Sequence, residues 1–344
     1  MHHRIALGLL CGALALGTAG ASQAREPLNV VTSFSVLADM VEQVGGEHVA
    51  VTSLVGPDSD SHVYSPSPAD ARRLAQADLV VFNGLQFEGW MNRLLDAGNY
   101  QGVTVTATDG IEPLAFTDAD HGAPAEAEHA DHDHDDADHE HEHDHGEHAQ
   151  HASHDEHAGH EHQHGDLDPH AWLDVARAEQ YVANIRDGLA EVDPQHAEDY
   201  RTAAQRYLEE LDALDAEIRE LMSAIPAGRR SVVTGHDAFE YFGEAYDVRF
   251  LSPVGLNTAA EPAAAELARL VDFIQKNQVK ALFYENITSP ALIRQLAEEA
   301  DLKVAGTLYS GALASDGEAS TYVGMMRHNA QTMHDGLSGD AASH

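Results

Sequence analysis

Pro194-Gln-His-Ala-Glu-Asp-Tyr200-Arg-Thr-Ala-Ala204-Gln-Arg-Tyr207-Leu-Glu-Glu-Leu211-Asp-Ala-Leu214-Asp-Ala-Glu-Ile218-Arg-Glu-Leu221-Met-Ser-Ala224 is the stretch on which the fold turns. Tyr200, Ala204, Tyr207, Leu211, Leu214, Ile218 and Leu221 recur every three or four residues, the spacing of one helix face. About 30 residues at 1.5 Å each give roughly 45 Å, more than a small domain needs. Such a helix reads as a strut, and the question becomes what it joins.

Both flanks alternate strands with helices. On the N-terminal side, Leu28-Asn-Val-Val-Thr32 reads as a buried strand. A helix over 35–44 follows, with Val36, Leu37, Met40, Val41 and Val44 on one face, and Gly45-Gly46 stops it. Further strands are expected at 49–55, 78–82 and 103–107, with a helix opened by Pro68 and others over 90–95 and 176–192. After Pro226-Ala-Gly228 the alternation restarts, with strands at 231–234, 248–251, 280–284 and 303–308 and helices over 238–246, 261–277, 290–300 and 320–337. Alternation of this kind implies parallel sheet built from βα units. The expected fold is α/β, with two Rossmann-like parallel-sheet lobes over 25–192 and 226–344 joined by a long rigid helix within 193–225. Ligands of such sheets bind beyond the carboxyl ends of the strands, which points to the cleft between the lobes.

The alternation is broken between Asp118 and Asp166 by fifteen histidines and seventeen carboxylates with no Lys or Arg among them. Neutral imidazole ligates zinc, copper and nickel, and the carboxylates draw cations in. A segment so poor in apolar residues cannot bury enough surface to fold alone, so 118–166 is expected to be a disordered, metal-collecting loop. Weak sites are expected at His132, His134, His139, His141, His143 and His145.

The chain opens with Met1-His-His-Arg4, an apolar stretch over 5–20 and small residues up to Ala24, a secretory signal pattern with cleavage expected after Ala24. The apolar run falls short of the roughly 20 residues of a spanning helix. Cys11, the only cysteine, lies inside it, and Leu10 before it disfavours a lipoprotein site. The mature chain is therefore expected to lack disulfides, and its metal sites to be built from His, Asp, Glu and water. Loss of residues 1–24 removes one positive charge, Arg4, and takes the formal charge from −39 to −40. That balance excludes nucleic acid and anionic membrane surfaces as partners. A mature chain of about 320 residues suits two lobes rather than one small domain.

Three histidines outside the insert share one position type. His62 follows the second strand in Gly56-Pro-Asp-Ser-Asp-Ser-His62, His170 precedes a helix in Asp168-Pro-His-Ala-Trp-Leu-Asp174, and His236 ends a strand in Val233-Thr-Gly-His236. Three imidazoles with an open or water-filled fourth position make a tetrahedral site that suits zinc. His48, His196, His328 and His334 lack this placement and read as surface or structural residues. Trp90 and Trp172 read as packing residues. Glu285, after a buried strand, either accepts a hydrogen bond from a ligand histidine or caps the next helix, and Asp237 is ambiguous in the same way.

These segments, with Pro66-Ser-Pro68-Ala-Asp70, His236-Asp-Ala-Phe-Glu-Tyr-Phe242 and Phe283-Tyr-Glu-Asn286, resemble the solute-binding proteins of zinc and manganese ABC importers over nearly the whole mature chain. The resemblance implies two lobes on a rigid linking helix, and His62, His170 and His236 as metal ligands. It also implies a periplasmic location and delivery to a separate membrane permease driven by a cytoplasmic ATPase. The acidic, histidine-rich insert is typical of the zinc branch, whereas manganese-binding relatives commonly carry a carboxylate where His236 stands. One departure concerns the fourth ligand. Many relatives place an Asp near the start of Leu308-Tyr-Ser-Gly-Ala-Leu313, where this chain has Gly311. A water, Asp60, Asp316 or a group from the insert is left for that position, with water favoured.

The function expected is a high-affinity Zn2+ receptor with one tight site, the insert scavenging or sensing zinc. A periplasmic zinc storage or buffering protein is the alternative. A zinc hydrolase is disfavoured, since Glu285 and Asp237 are the only bases at hand and no His-Glu-x-x-His motif is present. A periplasmic zinc chaperone as donor and a monomeric state complete the expectation.

Overall fold

The computed structural model describes residues 26–116, 167–256, 258–259, 262–277 and 279–338. The expected signal peptide and the insert, with His132, His134, His139, His141, His143 and His145, lie outside the described residues.

β1 (Leu28–Phe34), β2 (Val49–Val55), β3 (Leu79–Phe82) and β4 (Val103–Thr106) form one all-parallel sheet in the order β2-β1-β3-β4. Leu28 pairs with Val49 and Phe34 with Val55, so β1 and β2 end level. The crossovers run through α1 (Ser35–Gly45), α2 (Pro68–Leu74) and α3 (Met91–Gly98). After β4 and a bridge between Ala115 and Leu167, α4 (Val175–Val192) covers the sheet. The second lobe repeats the plan. β5 (Ser231–Val233), β6 (Arg249–Leu251), β7 (Ala281–Glu285) and β8 (Val304–Leu308) are parallel in the order β6-β5-β7-β8, with α6 (Glu240–Tyr246), α7 (Ala264–Lys276), α8 (Pro290–Ala300) and α9 (Tyr322–Ser338). In each sheet the chain leaves the first strand to one side and later crosses to the other. That is the switch point at which parallel sheets open a binding crevice.

The strut is α5 (Ala197–Ala224), 28 residues and about 42 Å long. It starts three residues later than Pro194 suggests, because the Asp193 carboxylate holds both the His196 ring and the Tyr200 hydroxyl and turns the chain first. Its buried face is Tyr200, Ala204, Tyr207, Leu211, Leu214, Ile218 and Met222. Met222 takes the last place expected for Leu221, which is only half-buried against the same core. One end of α5 meets the first lobe at α1 and α4, the other meets α6 and α9. At that far end Tyr246 donates to Asp215 at 3.0 Å, Arg327 pairs with Glu217 at 3.0 Å and Arg219 donates to the Ala245 carbonyl at 2.7 Å.

The lobes share one hydrophobic core. Phe34, Phe87 and Trp172 of the first lobe and Tyr241, Phe283 and Tyr322 of the second belong to a single buried cluster, while Val233, Leu251, Ile274, Leu282 and Leu296 form a smaller one on the outer face of the second sheet. Hinge opening would break the shared core, and burying one large apolar side chain is worth about 1.5–3 kcal/mol. Small shifts are therefore the motion this packing permits.

Candidate metal centre

Each of the three strand-end histidines is fixed by its own local device. The Gly56-Pro-Asp58 turn ends with Asp58 at φ 51°, and its N–H donates to the Leu313 carbonyl of the other lobe at 2.9 Å. The His62 N–H then donates to Asp60 Oδ1 at 2.8 Å, and Trp90 Nε1 donates to the Ser61 carbonyl at 3.2 Å. Phe87 packs edge-on against the His62 ring, centroids 4.9 Å apart. A loop histidine is thereby held almost as firmly as one on a strand.

His170 is fully buried, and Asp168, two residues earlier, accepts both its N–H at 2.9 Å and its Nδ1 at 2.7 Å. With Asp168 ionised, Nδ1 carries the proton and Nε2 is left as the ligand atom. Burial pushes the Asp168 carboxyl up to about 7.

His236 is also fully buried. Glu285 Oε1 accepts the N–H groups of Gly235 and His236 at 2.7 and 2.9 Å, and Oε2 accepts the Ser310 hydroxyl at 2.6 Å. Oε2 also lies 2.7 Å from His236 Nδ1, an ion-pair contact in which the N–H is poorly aligned for a hydrogen bond. A Cβ at Gly235 would come within 3.1 Å of Glu285 Oε1 and 2.7 Å of Thr288 Oγ1, so the carboxylate can approach this backbone only because residue 235 is glycine. Burial, the largest single influence, would lower the His236 pKa, but the charge and close contact of Glu285 with the charges of Asp60 and Asp237 together outweigh it and hold the imidazole above its usual value. Glu285 is held below the usual carboxylate range, its burial outweighed by the charge and hydrogen bonds of His236 and Ser310. Glu285 thus faces the histidine rather than capping the next helix, whose cap is Ser289.

The three rings converge. Ring nitrogens of His62, His170 and His236 lie within 4.8 Å of one another, with His62 Nε2 and His170 Nε2 3.3 Å apart. Two nitrogens bound to one tetrahedral zinc at about 2.0–2.1 Å stand about 3.3 Å apart. His236 Nε2 is buried with no hydrogen-bond partner among the described residues, the condition of a ligand atom facing a cation. Phe34, Phe87 and Trp172 make an aromatic wall behind the rings. On the other side a cavity of about 470 Å³, lined by Gly235, His236, Thr258 and Thr288 among others, opens onto His236.

Neither carboxylate suggested for the fourth position joins this group. Asp60 accepts the His62 N–H with one oxygen and the Thr258 hydroxyl, at 2.6 Å, with the other, so it ties the two lobes together. Asp316 is exposed and is not grouped with the three rings. Gly311 is buried in a strap that crosses between the lobes. Along it Ser310 O accepts from Trp172 Nε1 at 2.9 Å, Leu313 N donates to Ser35 Oγ at 3.0 Å, and Ser315 N donates to Asp58 at 3.0 Å. A Cβ at Gly311 would reach Ile287 Cδ1 at 3.0 Å, a methyl that can give way. Gly311→Asp is therefore expected to fold and, by adding a charged ligand, to tighten zinc binding about tenfold or more in a chelator competition. Unchanged affinity would show that residue 311 does not face the ion.

Asp168 as the partner of His170, Ser310 as the partner of Glu285 and Asp58 as a lobe tie are absent from the sequence reading. Only Asp168 has a local signal, standing two residues before a histidine as Asp60 does. The structure also stacks His48 on His196, two residues the sequence places apart from any site.

Two parallel-sheet lobes sharing a core, with three imidazoles between them, define a metal-binding solute receptor. The profile of the family described as ZnuA, zinc-uptake complex component A, periplasmic, matches residues 30–336, and the chain belongs to this family of metal-binding ABC solute-binding proteins. It is 32% identical to the manganese-binding lipoprotein MntA of Halalkalibacterium halodurans, covering 95% of this chain and 93% of that one. It is 27% identical to the iron-binding protein YfeA of Yersinia pestis, covering 97% and 94%. The solved periplasmic zinc-binding protein TroA of Treponema pallidum superposes with a TM-score of 0.72 at 26% identity, covering 91% of this chain and 99% of that one. Divalent metal is thus the cargo class, and a permease with its ATPase is the partner that the family role entails. No helix among the described residues is long and apolar enough to cross a membrane.

Proposed function

We propose that this chain is a periplasmic zinc receptor that holds Zn2+ with His62, His170 and His236 and hands it to an ABC permease. The observation that carries the reading is the convergence of three imidazoles from both lobes, two fully buried and each of those two backed by a carboxylate. Neutral nitrogens suit zinc, whereas manganese favours oxygen. The relatives, named for manganese, iron and zinc, leave the cargo to be decided by this donor set. A water completes the tetrahedron, the insert gathers or senses zinc, the chain acts as a monomer, and a chaperone supplies the ion. A carrier fits better than a hydrolase, because both Glu285 oxygens and Asp168 Oδ1 are committed to histidines and backbone N–H groups. Model-ester assays on the zinc form are expected to show no turnover above free zinc.

Competition against chelators is expected to give zinc at least about a hundredfold tighter than manganese, as nitrogen sites rank these ions. Manganese within about tenfold of zinc would overturn the zinc reading and leave the receptor reading standing.

Protons compete with the metal, which requires neutral His236 and an Asp168 that leaves its proton on His170 Nδ1. The Asp168 value of about 7 and the raised His236 value both move this competition to higher pH. Affinity is expected to hold above pH 7 and to fall about tenfold per competing imidazole between pH 7.5 and 5.5. Zinc occupancy at limiting metal that stayed flat between pH 5 and 7.5 would contradict this.

A further inference from the structure

A second group of ligating side chains lies at the opposite end of the first lobe from the cleft chemistry, where α5 begins. His48 closes the short helical turn over Gly46–His48 before β2, His196 stands immediately before α5, and Asp199 lies in the first turn of α5. One ligand atom from each lies within 4.8 Å of the others. The two rings lie face to face, centroids 4.0 Å apart and 18° from parallel, so one of them must turn for both to present a nitrogen to a single ion. From these contacts we infer a second divalent transition-metal site, formed by His48, His196 and Asp199.

Two details favour an ion over a plain surface ion pair. His48 Nε2 and Asp199 Oδ2 are 3.4 Å apart. That is longer than the 2.7–2.9 Å of a charged hydrogen bond, but about the separation of a nitrogen and an oxygen bound to one tetrahedral zinc. In addition, His196 Nδ1 is held at 2.5 Å by Asp193, a buried carboxylate that also accepts the Tyr200 hydroxyl at 3.1 Å. This is the device that orients His170 through Asp168, and it directs the remaining nitrogen outward as a ligand. The positive end of the α5 dipole opposes a cation here, and Glu198 and Asp199 in the first turn offset it.

Two imidazoles and one carboxylate select zinc, copper or nickel over magnesium or calcium. The site is partly exposed, with side chains 25%, 29% and 63% accessible for His48, His196 and Asp199, so water completes the coordination and exchange is fast compared with the cleft. A bound ion would fasten the start of the strut to the turn that feeds β2.

The test is carbethoxylation of histidine by diethylpyrocarbonate, read residue by residue by mass spectrometry on the full mature chain with and without zinc. Zinc is expected to slow modification of His48 and His196 at least fivefold, in the native sequence and equally in His236→Ala, which separates this site from the cleft. Asp199→Asn, on an exposed carboxylate, and His196→Asn are each expected to remove most of the protection at His48. Modification of His48 that zinc does not change, or protection that survives both substitutions, would overturn the proposal.

Discussion

Replacing His236 by alanine is expected to weaken zinc binding by at least about a hundredfold. Four-ligand zinc sites bind with about 10–16 kcal/mol, roughly 3 kcal/mol per ligand, and each 1.4 kcal/mol is tenfold. The loss should exceed that of the same change at His62. His62 is partly exposed and its place can be taken by water, whereas His236 is fully buried and its loss also leaves Glu285 facing a void. Competition with a chelator of known affinity reads the effect directly. A loss of less than threefold would mean that His236 is a buried structural histidine rather than a ligand.

The largest effect on stability is expected at Glu285. Its side chain is wholly buried, accepts two backbone N–H groups and one hydroxyl, and pairs with His236. Glu285→Ala strands all four groups. Breaking a buried pair from one side costs about 3–5 kcal/mol, which for the metal-free chain means a fall in Tm on the order of 10 °C. Glu285→Gln keeps an acceptor for the backbone groups and should cost less in stability, yet lower zinc affinity by about 10–100-fold through the misoriented imidazole. The pH dependence of the Gln variant has a defined sign. His236 has a raised pKa, so its contribution is full below its unfolded value of 6.5 and is lost as pH rises through the folded value. Glu285 has a lowered one, so its contribution is full above 4.5 and is lost as pH falls through the folded value. The pair therefore stabilises the metal-free chain most between about pH 4.5 and 6.5. The gap in Tm between native and Gln chains should be widest there and narrower at pH 8, and a gap that widened toward pH 8 would contradict the pairing.

Much of this centre is legible in the residue order because its chemistry sits at the ends of regular elements. Strands of three to seven largely β-branched and apolar residues and helices marked by Pro68 and Pro290 announce themselves locally. A histidine placed just after such a strand can only lie at the mouth of the crevice. What is hidden is whatever depends on pairing distant segments. The strap over residues 308–315 carries no periodicity, so its ties to Trp172, Ser35 and Asp58 cannot be read in advance. Asp60 looks like a ligand because it stands two residues from His62, and only the approach of Thr258 from the other lobe shows that its second oxygen is taken. The stacking of His48 on His196 has the same origin, since a turn before β2 and the start of α5 are distant in the sequence and meet only in the folded chain.

The shared core and the strap bear on release. With Asp58, Asp60, Trp172 and Tyr322 all bonded across the lobes, a wide hinge movement would break several hydrogen bonds at once. Each is worth about 0.5–1.5 kcal/mol net. Of these ties, the one between Asp60 and Thr258 lies beside the cavity that opens onto His236. Release at the permease is expected to begin there, by movement of that segment rather than by separation of the lobes.

The most direct measurement is a zinc titration against a competing chelator, run on the full mature chain and on one lacking residues 118–165. If the cleft is the transport site, both chains keep one tight equivalent, His236→Ala removes it from both, and the deletion removes only weaker equivalents. Loss of tight binding with the deletion, and its survival in His236→Ala, would contradict the three-histidine centre and make the chain a buffering protein.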